Sequence, residues 1–164
     1  MVDDRFDRHS CASACGRCSQ KKGGPDAQGL GRSRGGLSTK IHAGTDALGL
    51  PVRLIAGPGQ QNDAARANEL IDGLKADSVL GDKGYDSDPL RQKIKDQGGE
   101  PVIPPRKHRK LPIDCDYVLY KERNAVERFF NKLKHFRRVA TRYDKLLANF
   151  MGFAKLASIA IWLR

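Results

Sequence analysis

The most regular alternation of hydrophobic and polar positions runs from Tyr120 to Lys134. The stretch lacks Gly and Pro and is rich in strong helix formers, which predicts a helix. Val126, Phe129, Phe130, Leu133 and Phe136 make an apolar face that packs on a core. At about 100° per residue, Tyr120, Arg123, Glu127 and Lys134 fall within roughly 60° of one another on a second side. That side carries a lone carboxylate bracketed by a phenol, a guanidinium and an ammonium. Taken alone it reads equally as a solvated, salt-bridged face or as a metal-ligand oxygen flanked by groups suited to phosphates.

The rest of the chain alternates shorter patterns. Leu37, Thr39, Ile41 and Ala43 predict one face of a strand, Thr45–Gly49 a turn, and Pro51–Ala56 a second strand, together a hairpin. His42 in the first strand reads as structural and Asp46 as a turn former. Asn62 or Asp63 caps a helix to about Lys75, with Ala67, Leu70, Ile71 and Leu74 inward. Ser78 to Asp82 is a short buried strand ending on an acid, followed by Lys83, Gly84, Tyr85 and Asp86. An acid at the C-terminal tip of a strand is where α/β sheets place ligands, and Gly84 lets the backbone leave the sheet sharply. Asp86 and Asp88 read as turn and cap residues. A helix from Ser87 or Asp88 to about Gln97 stops at Gly98 and Gly99. Pro101–Pro105 is a strand at a sheet edge or end. The basic run Arg106–Lys110 is either a solvated loop or a phosphate contact, with Arg106 and Lys107 as candidates. A last helix, about Lys145 to Leu163, turns Leu146, Phe150, Phe153, Leu156 and Ile159 inward, with Trp162 in the core. Lys21–Gly36 is a Gly-rich basic loop that either touches DNA backbone or is a solvated linker. It lacks a P-loop ending, which argues against nucleotide binding.

Composition adds a partner class. The 164 residues hold 30 Lys and Arg against 19 Asp and Glu, a net charge of +11. That excess favours a polyanion, most simply nucleic acid. No signal peptide or membrane-spanning run is read, so the expected compartment is a bacterial-type cytosol with the four cysteines reduced. Residues 1–20 read as irregular. They hold His9, Cys11, Cys15 and Cys18 in one short run, a weak zinc signal because structural sites usually join two separated ligand pairs.

The spacing Tyr-x2-Arg-x3-Glu-x6-Lys resembles the signature around the last acidic residue of DDE-type insertion-sequence transposases. The wider wording, from Gly35–His42 to Ala160–Leu163, resembles the family named after insertion sequence five, over about Lys21 to the C-terminus. The resemblance implies a ribonuclease-H-like α/β fold, a mixed sheet with flanking helices, for residues 21–164. Asp82 matches the family's second catalytic acid and Glu127 its last. Both would hold Mg2+ or Mn2+, and Tyr120, Arg123 and Lys134, with Lys83 a weaker candidate, would grip DNA phosphates. Two divalent ions can activate a water or 3′-hydroxyl and neutralise the leaving oxygen. The implied partners are DNA at element ends and target, and further copies of the chain. A non-catalytic DNA-binding remnant or regulator, and a metal nuclease without strand transfer, are the alternatives.

The family's first acid lies in an Asp-Ser-Thr motif that the chain lacks. Writing plausible codons for Val2 to Lys22 and reading one nucleotide later yields Ile-Asp-Ser-Thr, with the Asp codon straddling Arg5 and Phe6. The two frames meet at Gln20, Lys21 and Lys22, whose codons can form a slippery run of adenines. Residues 1–20 are therefore expected to be an out-of-frame translation, in a downstream frame joined by frameshifting or in a decayed copy. Asp3, Asp4 and Asp7 do not match the family's spacing as replacements.

Overall fold

In the computed structural model the described residues are 2–7, 28–33, 36–109 and 113–164. The hairpin forms as β3 (Gly36–Thr45) and β4 (Pro51–Pro58), antiparallel with Ile41 opposite Ala56. Asp46 makes the turn: its carboxylate accepts from the Leu48 and Leu50 amides at 3.0 and 2.8 Å. Gly49 follows at φ 81°, a conformation that favours glycine.

Two further short strands pair with β3, one on each side of it. β1 (Val2–Asp7) pairs antiparallel with Ser38–Ala43, and β2 (Gly31–Ser33) with Gly36–Ser38. Both depart from the sequence reading, which gave residues 1–20 no strand and made Lys21–Gly36 a loop. Pairing with an already formed hairpin supplies what local periodicity lacks. The cluster of His9, Cys11, Cys15 and Cys18 lies outside the described residues.

Asn62 caps α1 (Asp63–Ile71), its side chain accepting from the Ala64 amide. The helix ends short of the expected Lys75, at Gly73 with φ 68°. β5 (Ser78–Leu80) and β6 (Glu100–Val102) pair in parallel around α2 (Asp88–Asp96). They make a sheet of their own. The expected single mixed sheet is thus an antiparallel sheet of four strands and a parallel sheet of two. The composition of β1 fits the separation: four of its six residues are charged, which suits a sheet edge and not a strand buried between two neighbours.

The predicted Tyr120–Lys134 helix is broken at its start. α3 (Tyr117–Tyr120) passes through a 3-10 turn at Lys121–Arg123 into α4 (Asn124–Lys134). A one-turn helix, α5 (Arg137–Ala140), precedes α6 (Leu147–Trp162).

Two cores form on the two faces of the hairpin. Ile41 and Ala43 meet Val126, Phe129, Phe130 and Leu133 of α4 and Phe150, Ala154 and Ala157 of α6. Ala67, Leu70 and Ile71 of α1 meet Tyr85, Leu90, Ile94 and Ile103, with Ile55 of β4 against them. β3 is therefore buried on both sides, and Ser38, Lys40 and His42 are as enclosed as Ile41. The face of α6 is rotated from expectation: Leu156, Ile159 and Trp162 are exposed, while Ala157, Ser158 and Ile161 are buried. Small residues allow α6 to approach α4 closely, so they take the inner positions. Trp162 stays at the rim and donates from Nε1 to the Pro51 carbonyl at 2.9 Å. Among the described residues, no helix is long and apolar enough to cross a membrane.

Candidate active site

Asp82 stands two residues beyond β5, half-buried, and caps a 3-10 turn at Lys83–Tyr85; its Oδ1 accepts from the Lys83 amide at 2.7 Å. Gly84 has no left-handed backbone; a side chain there would have to displace the Asp63 carboxylate. A Cβ there would come within 2.8 Å of Asp63 Oδ2 at the start of α1.

Glu127 lies on the first turn of α4. Its Oε1 accepts from Arg123 Nη2 at 2.6 Å, and the Arg123 guanidinium lies 5.4 Å from the centre of the Tyr120 ring. The break at Lys121–Arg123 leaves these three groups together. Tyr120 is half-buried beside the other two. Burial raises its phenol above the usual tyrosine range; Arg123 opposes this, and the carboxylates of Asp82 and Glu127 both add to it. Lys134 is exposed, two turns further along the same helix.

Asp86 is the main feature the sequence reading missed. Its side chain is 1% exposed and accepts from Arg91 Nε at 2.9 Å, Arg109 Nη1 at 2.8 Å and the Arg106 amide at 2.9 Å. Burial alone would raise this carboxyl; the Arg106 amide and the two guanidinium groups hold it below the usual carboxylate range. Arg109 also reaches Asp88, so Asp88 is an ion-pair partner as well as the first residue of α2. The basic run is therefore partly structural. Arg106 donates to the Lys83 and Gly84 carbonyls at 3.1 and 2.6 Å, bracing the turn that carries Asp82. Lys83, Lys107 and His108 remain exposed, as do Arg128, Lys132, Arg137 and Arg138 around α4 and α5. No local signal marks Asp86, because its partners come from α2 and from a loop 20 residues on.

Asp82 and Glu127 offer hard carboxylate oxygens, the right chemistry for Mg2+ or Mn2+. Their number is short: among the described residues, no group of three or more His, Cys, Asp or Glu is arranged to hold a metal ion. The two would supply at most part of a ligand set, which water, phosphate oxygens or a further acid would have to complete.

Asp82 thus stands beyond the end of β5 and Glu127 on α4, in a chain with several exposed Lys and Arg side chains around both elements. A family model described as "Transposase DDE domain" matches residues 9–115, and a second with the same description matches residues 79–164. The chain is 44% identical over 133 residues to a putative transposase for insertion sequence element IS6501 of Brucella ovis, covering 78% of this chain and all of that one. It is 33% identical over 157 residues to a putative transposase for insertion sequence element IS402 of Burkholderia cepacia, covering 88% of this chain and 70% of the relative. No solved structure matches. The chain belongs to the DDE transposase domain family, as the spacing around Glu127 led us to expect.

Proposed function

We propose that this chain is the catalytic part of a DNA transposase. Joined to its upstream part, it cuts strands at insertion-sequence ends and transfers them to target DNA in the bacterial cytosol. What supports this most is the match of two transposase DDE domain models, over residues 9–115 and 79–164, with Asp82 beyond β5 and Glu127 on α4 inside the matched region. The succession of antiparallel β1, β3 and β4 and then parallel β5 and β6 is consistent with a ribonuclease-H-like arrangement.

Asp82 and Glu127 would hold Mg2+ or Mn2+, which when bound supplies activation of a water or 3′-hydroxyl and neutralisation of the leaving oxygen. Tyr120, Arg123 and Lys134 would grip the phosphate at the cut, with Lys83 and Lys107 along its approach. Arg106, bonded to two carbonyls, would serve DNA through the shape of the turn. A further copy of the chain is the expected protein partner.

Two experiments test the reading. Binding to duplex DNA, followed by fluorescence anisotropy, should fall by on the order of a thousandfold between roughly 50 and 200 mM salt, as counterion release at six or more phosphates requires. Salt-insensitive binding would mean that the +11 charge serves solubility alone. In the second, this chain alone should cut element ends little or not at all, because Asp82 and Glu127 need a further acid. The frame-joined protein should cut them with Mg2+ or Mn2+. The same DNA should encode Ile-Asp-Ser-Thr one nucleotide over from Asp4–Arg8; a stop codon in that frame just upstream would refute the joined product.

A further inference from the structure

Asp82 and Glu127 belong to different layers. Asp82 follows β5 in the parallel sheet, whereas Glu127 rides on α4, which packs on the Ile41 and Ala43 face of β3. Among the described residues no strand ladder joins the two sheets. The spacing of the two acids is therefore set by what links β3 to the turn at Lys83–Tyr85.

Two polar pairs make that link beside α1. His42 Nδ1 lies 2.8 Å from the Tyr85 hydroxyl, and both residues are fully buried. Lys40, also buried, donates from Nζ to Asp63 Oδ1 at 2.6 Å and to the Gln61 carbonyl at 3.1 Å. Asp63 in turn lies against Gly84. The Tyr85 amide donates to the Asp82 carbonyl at 2.8 Å, so the ring anchored at His42 is one hydrogen bond from the ligand residue. A dry interface between layers is held as well by apolar contact, and a buried imidazole is costly there. His42 Nε2 is buried without a hydrogen-bond partner among the described residues. Apolar contact resists separation but not sliding. A hydrogen bond with a defined direction resists both.

We propose that His42 and Tyr85 are positioning residues: their hydrogen bond, beside the Lys40–Asp63 pair, fixes the turn that presents Asp82 at the spacing from Glu127 that a shared metal ion needs. This rests on the reading of Asp82 and Glu127 as metal ligands. Burial lowers the His42 imidazole to about 4, so the ring that meets the phenol at neutral pH is uncharged.

The test uses the full chain with Tyr85→Phe, which removes one oxygen, and His42→Asn, which keeps an acceptor near the Nδ1 position. Amide hydrogen exchange is read at Tyr85 and Asp86, whose amides bond within the turn, and at Phe129, Phe130 and Leu133 in the other core. Mn2+ affinity is read by electron paramagnetic resonance, with Asp82→Asn as the reference for a lost ligand. In Tyr85→Phe, exchange at residues 85 and 86 should quicken by roughly tenfold, the loss of one buried hydrogen bond, while the α4 amides keep their rates. Mn2+ affinity should fall by about the same factor, with His42→Asn closer to the parent. Uniform quickening in both cores, or none at residues 85 and 86, overturns the brace. Local quickening with unchanged Mn2+ affinity overturns its positioning role. If the parent chain takes up no Mn2+, the ligand reading fails and with it the role toward the ion, while the exchange rates still report whether the brace exists.

Discussion

Replacing Glu127 by Gln in the frame-joined protein is expected to lower end cleavage by roughly a thousandfold or more, while DNA binding holds within about twofold. A metal contributes several kcal/mol to a phosphoryl-transfer transition state, and each 1.4 kcal/mol or so is a factor of ten. Gln keeps an oxygen for Arg123 Nη2, so the i,i+4 contact on α4 is not lost with the charge. Asp82→Asn should behave alike, since Asn keeps the oxygen that caps the Lys83 amide. Lys134→Ala should instead weaken end binding and cleavage together, as loss of a phosphate grip would. Cleavage assays beside anisotropy titrations separate the cases, and undiminished cutting by the Glu127→Gln protein would remove α4 from the active site.

A second large effect is expected far from any ligand. Asp86→Asn leaves the buried Arg91 without this anion, while Arg109 keeps Asp88; breaking a buried pair on one side costs about 3–5 kcal/mol. For a chain of this size that is on the order of 10 °C in Tm. Asp88 pairs with the same Arg109 but is 81% exposed, so Asp88→Asn should change stability by no more than about 1 kcal/mol. The sign with pH follows from the lowered carboxyl of Asp86. Its contribution is present above the ordinary carboxylate pKa and is lost as pH falls below it. The stability difference between parent and Asp86→Asn should therefore shrink in acid. Thermal melts from about pH 3 to 7 check this, and equal losses for Asp86→Asn and Asp88→Asn would contradict the buried knot.

What the sequence made legible was local. The apolar face of α4, the Asp46 turn, the Asn62 cap and the acid beyond β5 each rest on spacing within a few residues, and each formed. What it concealed depends on partners distant in the chain. Asp86 looks like any turn acid until Arg91, Arg106 and Arg109 are brought around it. Lys40 and His42 alternate with Ile41 as an outward polar face would, yet α1 covers them. α6 is apolar nearly all round, so its period did not choose between Leu156 and Ala157; the close approach of α4 did. β1 carries acids unlike any buried strand, and its pairing with β3 gives it a place.

The two cores have a consequence for how the protein comes apart. The α4–α6 core draws its helices from one continuous stretch at the end of the chain, and the α1–α2 core is drawn almost wholly from residues 55–103. Each holds one of the two acids. Where segments contiguous in sequence form separate clusters, partial opening of one ahead of the other is the expected order of events. The site would then vanish at denaturant concentrations where both clusters are still largely helical, and on refolding it would be the last property to return, arriving when two finished halves dock.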